Sequence, residues 1–94
     1  MDILIWLQNW YNQQCDGCWE HLYGIEIGNL DNPGWEVKID LNDTSYEGKD
    51  FSLLNIQNGE SWIVCKKDKT VFEGYGSYDK LSEILTVFKN WIES

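Results

Sequence analysis

The sequence predicts an α+β fold: an antiparallel sheet of about five strands, with an N-terminal and a C-terminal helix packed on one of its faces. Three observations predict it. Helical spacing of apolar residues is confined to the two ends of the chain. Alternating apolar and polar residues fill the middle, interrupted by turn signals such as Asn32-Pro33-Gly34 and Asn58-Gly59. Strands and helices do not alternate, so a parallel sheet is not expected.

Residues 2–14 form the first predicted helix. Ile3, Trp6, Leu7 and Trp10 follow the i, i+3, i+4, i+7 spacing, Leu4 and Tyr11 widen the stripe, and Gln8, Asn9, Asn12 and Gln13 take the other side. Gly17 ends the segment. Residues 20–28 then read as a strand in which Tyr23, Ile25 and Ile27 alternate with Gly24, Glu26 and Gly28. Asn32-Pro33-Gly34 suits a type II turn, with Pro33 and Gly34 at its centre and a positive φ at Gly34. Replacing Gly34 by Ala is therefore expected to cost about 1 kcal/mol or more. Residues 35–41 alternate strictly, with Trp35, Val37, Ile39 and Leu41 on one face and Glu36, Lys38 and Asp40 on the other. This half-buried strand pairs with its predecessor as a hairpin.

A polar loop follows at 42–50, then strands at 51–57, 61–67 and 70–75, with turns at Asn58-Gly59 and Asp68-Lys69. Adjacent apolar residues, Leu53-Leu54 and Trp62-Ile63-Val64, blur the alternation. Either the sheet is covered on both faces there, or the register differs from this reading. Gly74 and Gly76 read as breaks in the sheet. Ser77 suits a helix N-cap and Asp79 a first turn. The closing helix, 78–92, carries Leu81, Ile84, Leu85, Phe88 and Trp91 or Ile92 on one stripe, the strongest helical signal in the chain. The order suggests a meandering sheet within one domain, 1–94, without repeats or linkers.

Sixteen acidic residues against seven basic ones leave a formal charge of −9. Such a field repels nucleic acid and anionic membranes, and it draws in basic partners. The same surface also keeps a protein soluble. An odd number of cysteines, Cys15, Cys18 and Cys65, argues against a secreted disulfide framework. The apolar start, Ile3-Leu4-Ile5-Trp6-Leu7, is too short for a membrane span and lacks the basic flank of a signal peptide, so a cytoplasmic location is expected.

The segment Cys15-Asp16-Gly17-Cys18-Trp19-Glu20-His21 holds the side chains closest to a chemical motif. Cys15, Cys18 and His21 have the types of metal ligands, with Cys65 as a possible fourth, but structural zinc sites usually pair two compact motifs. A redox pair normally opens a helix, and here it follows one. Nucleophilic catalysis by a Cys–His pair needs an orienting group that no motif supplies. Packing of Cys15 and an orienting hydrogen bond from His21 account for the segment more simply, and no metal or cofactor is expected. Carboxylates are too numerous for any pair to stand out, and phosphate-loop and metallohydrolase motifs are missing. Six tryptophans exceed what two helices and one sheet face must bury, so one or two are candidates for exposed anchors.

Three stretches carry a family resemblance. They are Trp10-Tyr11 with Cys15-Asp16-Gly17, Trp19-Glu20-His21 and Tyr23-Gly24-Ile25; then Leu30-Asp31-Asn32-Pro33-Gly34-Trp35 with Ile39-Asp40-Leu41; and finally Trp62-Ile63 with Leu81, Ile84, Leu85, Phe88 and Trp91. Over nearly its whole length the chain resembles the immunity protein 53 family. A cysteine at position 18 departs from that family's usual pattern, which counts against zinc and redox roles. The resemblance implies a cytoplasmic immunity protein of a bacterial polymorphic toxin system, which binds and neutralises the toxin encoded beside it, and it carries over no catalytic residues.

Charge adds that the toxin would be basic, as a nuclease with a phosphate-binding cleft is. The expected partner is thus a cognate toxin protein, not nucleic acid or membrane. Candidate partner-binding residues are Asp16, Trp19, Glu20, Asp31, Trp35 and Asp40. Core packing is the competing role for Trp19 and above all for Trp35, which heads an apolar strand face. Asp40 lies on the opposite face of that strand, so all six cannot share one surface. Charge reversal at Asp16 and Glu20 is expected to weaken binding and to leave stability nearly unchanged. The alternative is a small metal- or thiol-dependent enzyme using Cys15, Cys18 and His21.

Overall fold

A computed structural model describes residues 2–94. Helix α1, Ile3–Gln14, starts where the Asp2 carboxylate accepts the Leu4 and Ile5 N–H groups, and it buries Leu7 and Trp10. A single-turn helix α2, Trp19–Leu22, occupies the start of the segment expected to be a strand. Local side chain–backbone bonds from Asp16 and Glu20, described below, compete with the extended form there. The sheet contains β1 (Ile25–Leu30), β2 (Gly34–Asp40), β3 (Leu54–Asn58), β4 (Ser61–Asp68) and β5 (Val71–Ser77), and helix α3, Leu81–Glu93, follows.

All neighbouring strands are antiparallel, as the alternation predicts, but the order is β1-β2-β5-β4-β3. This is not a plain meander. Two-residue turns, Gly59-Glu60 and Lys69-Thr70, force β3, β4 and β5 to be neighbours, with positive φ at Gly59 and Lys69. The longer connection 41–53 leaves β2 free to choose its partner. It pairs with β5, which brings Ile39 opposite the fully buried Phe72. The Asn- and Gln-rich β3 takes the edge, where polar side chains remain in water.

The crossing loop is tied down by two lysines. Lys67 Nζ donates to the Glu47 and Lys49 carbonyls, and Lys49 Nζ donates to the Trp91 carbonyl. Phe51, expected to begin a strand, instead packs on Phe72 and Trp91, which delays β3 to Leu54.

Both helices lie on one face of the sheet. Their stripes meet at Phe88, whose ring contacts Trp6, Trp10, Phe72 and Trp91. Val37, Ile39, Ile63, Cys65 and Phe72 line the sheet's side of this core. Trp62 and Val64 point the other way and are half-buried among their strand neighbours, with Val64 beside Tyr75. That accounts for the blurred alternation in β4. Ile27, on the edge strand, shares the face of Ile25 but remains exposed.

Three local expectations are corrected. Gly74 and Gly76 do not break the sheet; they lie inside β5 under α3. A Cβ at Gly74 would collide with Ile84 Cγ2, and one at Gly76 would come within 2.7 Å of Lys80 Cβ. Their missing side chains bring the helix close to the strand. Ser77 is not an N-cap but the last residue of β5; its Oγ accepts the Trp62 N–H and donates to Asp79, and α3 starts only at Leu81.

Gly34 does not take a positive φ, which among the described glycines belongs to Gly17 and Gly59. The turn comprises Asp31–Pro33, and Gly34 is the first residue of β2, between Leu30 and Ser77. Glycine is needed there for space, because a Cβ would run into the Gly76 carbonyl oxygen. Gly34→Ala is therefore expected to cost about 1–3 kcal/mol through overpacking. An unchanged urea midpoint would contradict this.

Candidate functional site

The expected binding residues fall at the two ends of the β1–β2 hairpin. At the end near α1, Asp16 and Glu20 form a reciprocal clamp. Asp16 Oδ1 accepts the N–H groups of Cys18 (2.9 Å) and Trp19 (3.0 Å), and the Glu20 carboxylate accepts those of Asp16 and Gly17. Hydrogen bonds from the Trp19 and Cys18 N–H groups hold the Asp16 carboxyl below its usual pKa, and backbone N–H donation likewise lowers that of Glu20. A lowered carboxyl pKa contributes stability above its unfolded value of about 4, and that contribution is lost as pH falls through the folded value.

These carboxylates thus hold the loop. The expectation that reversing them leaves stability nearly unchanged needs correction: Asp16→Lys with Glu20→Lys should lower the Tm, and the loss should shrink as pH drops below about 4. Equal melting of wild type and variant at neutral pH would contradict this.

Trp19 is not an exposed anchor. It is 2 % exposed, with its ring edge-on to Trp10 at 6.1 Å and near Tyr11 at 5.8 Å. The nearby thiols are not gathered for metal binding. Cys15 Sγ donates to the Tyr11 carbonyl, while Cys65 is buried in β4, where burial pushes its pKa up to about 12. Among the described residues, no group of three or more His, Cys, Asp or Glu side chains lies close enough to share a metal ion. Asp40 belongs to this same end, with Oδ2 accepting the Gly24 N–H at 3.0 Å.

Asp31 and Trp35 lie at the other end, one strand length of about 20 Å away. Asp31 is exposed in the turn. Trp35 is half-buried against the core, and its Nε1 donates to the Tyr78 carbonyl at 2.9 Å. The two tryptophans therefore reverse the expected ranking, with Trp19 fully buried and Trp35 only partly. The six residues do not converge on one surface.

The turn end does contain a cleft of about 440 Å³, lined by Asn32, Pro33, Gly59, Glu60, Trp62, Ser77 and Tyr78. Tyr78 is 74 % exposed, the highest value among the large apolar side chains in the described residues. The cleft forms where the β1–β2 turn, the β3–β4 turn and the β5–α3 corner meet. Asp31 immediately precedes this lining and Asp79 follows it in sequence. Neither Tyr78 nor Glu60 stood out in the sequence, because only the observed strand order brings the three corners together. A second, apolar groove of about 280 Å³ runs between α1 and β1, lined by Leu4, Leu7, Gln8, Tyr11 and Ile25.

The blocks that build both ends belong to one pattern extending along the chain. Residues 4–93 match the family model described as Immunity protein 53. The chain belongs to the immunity protein 53 family. No curated protein and no solved structure matches it significantly.

Within this chain, the block from Leu30 to Trp35 contributes Asn32 and Pro33 to the lining of the cleft, and β4 contributes Trp62. The Trp19-Glu20-His21 block supplies the clamp and a core tryptophan. Among the described residues no helix is long and apolar enough to cross a membrane. The surface thus offers hydrogen-bonding carboxylates, an aromatic cleft and an apolar groove.

Proposed function

We propose that this protein binds a toxin domain encoded beside its own gene and neutralises it by physical association, without catalysis of its own. The match to the immunity protein 53 family over residues 4–93 carries this reading. The net charge of −9 supports a basic partner, such as a nuclease whose cleft receives phosphates. An acidic protein seated on such a cleft excludes its substrate and is drawn to it by long-range attraction. The protein would act in the cytoplasm, where such a toxin finds its target.

Co-expression tests the reading. Cells carrying the neighbouring toxin gene should survive when this protein is produced and die without it. Death in both cases, with the protein present in soluble form, would refute the proposal.

A further inference from the structure

The cleft at the turn end has the composition of a receptor for a basic side chain. Its lining includes two aromatic residues, Trp62 and Tyr78, together with Pro33 and the acidic Glu60. Asp31 and Asp79 add negative charge beside it. The neighbouring cation, Lys80, is already engaged, with Nζ 3.1 Å from Glu83 and 4.0 Å from Asp79.

The backbone that carries these walls is held in place before any partner arrives. The Trp62 N–H donates to Ser77 Oγ at 3.1 Å, and the Trp35 indole pins the backbone of Tyr78 at its carbonyl. Asp79 is fixed by Ser77 at 2.7 Å and by Ser61 at 3.2 Å. The Tyr78 ring is thus exposed on an anchored backbone.

From this we infer that the cleft is the docking point for an arginine-bearing loop of the basic toxin, the inserted guanidinium stacking on Trp62 and Tyr78 and pairing with Glu60. Charge complementarity selects this occupant: the whole chain carries −9, and the cleft joins aromatic faces to a carboxylate. A guanidinium is planar, stacks on aromatic faces and pairs with carboxylates in a fixed fork geometry, which an apolar or acidic side chain does not. The inference rests on the toxin-binding reading above and locates its anchor.

The test is isothermal titration of the full chain into the purified toxin domain encoded beside it. The variants are Tyr78→Ala, Tyr78→Phe, Glu60→Lys and, toward the end of β1 away from the cleft, Glu26→Lys; thermal melts establish that each is folded. Tyr78→Ala and Glu60→Lys should each weaken binding about 30-fold or more, as loss of a central anchor does. Tyr78→Phe and Glu26→Lys should remain within about threefold of wild type. If the wild type binds and Tyr78→Ala and Glu60→Lys bind equally well, the cleft is not the anchor, while the toxin-binding reading stands. If Tyr78→Phe is as weak as Tyr78→Ala, the ring is not the stacking platform and the inference fails. If the wild type itself does not bind the toxin, the inference falls together with the reading on which it rests.

Discussion

Replacing Trp19 by Ala should remove about 3–5 kcal/mol of folding free energy. The indole is 2 % exposed and lies between Trp10 and Tyr11 of α1, so its loss leaves a large cavity beneath that helix. It also sits at the start of α2, where its N–H is one of the two that Asp16 clamps. Domains of this kind are stable by only about 5–15 kcal/mol, so one substitution would take much of the total. Trp19→Phe should cost less. It keeps an aromatic ring against Trp10 and removes an indole N–H that has no protein acceptor in its buried position. Urea unfolding of the three proteins measures the difference. A loss below about 1 kcal/mol for the alanine variant would mean that Trp19 is not a core residue.

The second large effect is kinetic. Raising the salt from about 50 to 500 mM should slow association with the toxin about tenfold or more, while dissociation changes little. The reason is the unbalanced field: sixteen acidic residues face seven basic ones, and among the described residues only Lys80 and Lys89 pair with carboxylates. Added ions screen the attraction that steers a basic partner, whereas contacts in the docked complex are short-ranged. Stopped-flow mixing at several salt concentrations reads both rates. An association rate independent of salt would remove steering from the account.

Periodicity carried the fold where one side-chain face dominates. The stripes of α1 and α3 and the alternation from Trp35 to Leu41 are each consequences of one buried face, so they are legible from the residues alone. What depended on contacts between distant segments was not. Gly34, Gly74 and Gly76 look like turn or break residues until the Gly76 carbonyl, Ile84 and Lys80 are placed beside them. The partner of β2 depended on a long loop held by Lys49 and Lys67, whose hydrogen bonds to carbonyls leave no pattern in the sequence.

The candidate site was legible in the same uneven way. The block around Asp31 and Trp35 does lie at a cleft, but Tyr78 and Glu60 join it only through the strand order. Asp16 and Glu20 were identifiable as acidic. Their hydrogen bonds to backbone N–H groups, which make them part of the loop's support, follow from a turn that alternation does not encode.

The central claim is that the protein neutralises its neighbouring toxin by binding it. Titrating purified toxin with purified protein, and following the toxin's own activity, tests this most directly. Activity should fall to background once the protein is in slight excess, and a stable complex of the two should elute together on size exclusion. Full toxin activity in the presence of excess folded protein, with the two eluting separately, would contradict the account.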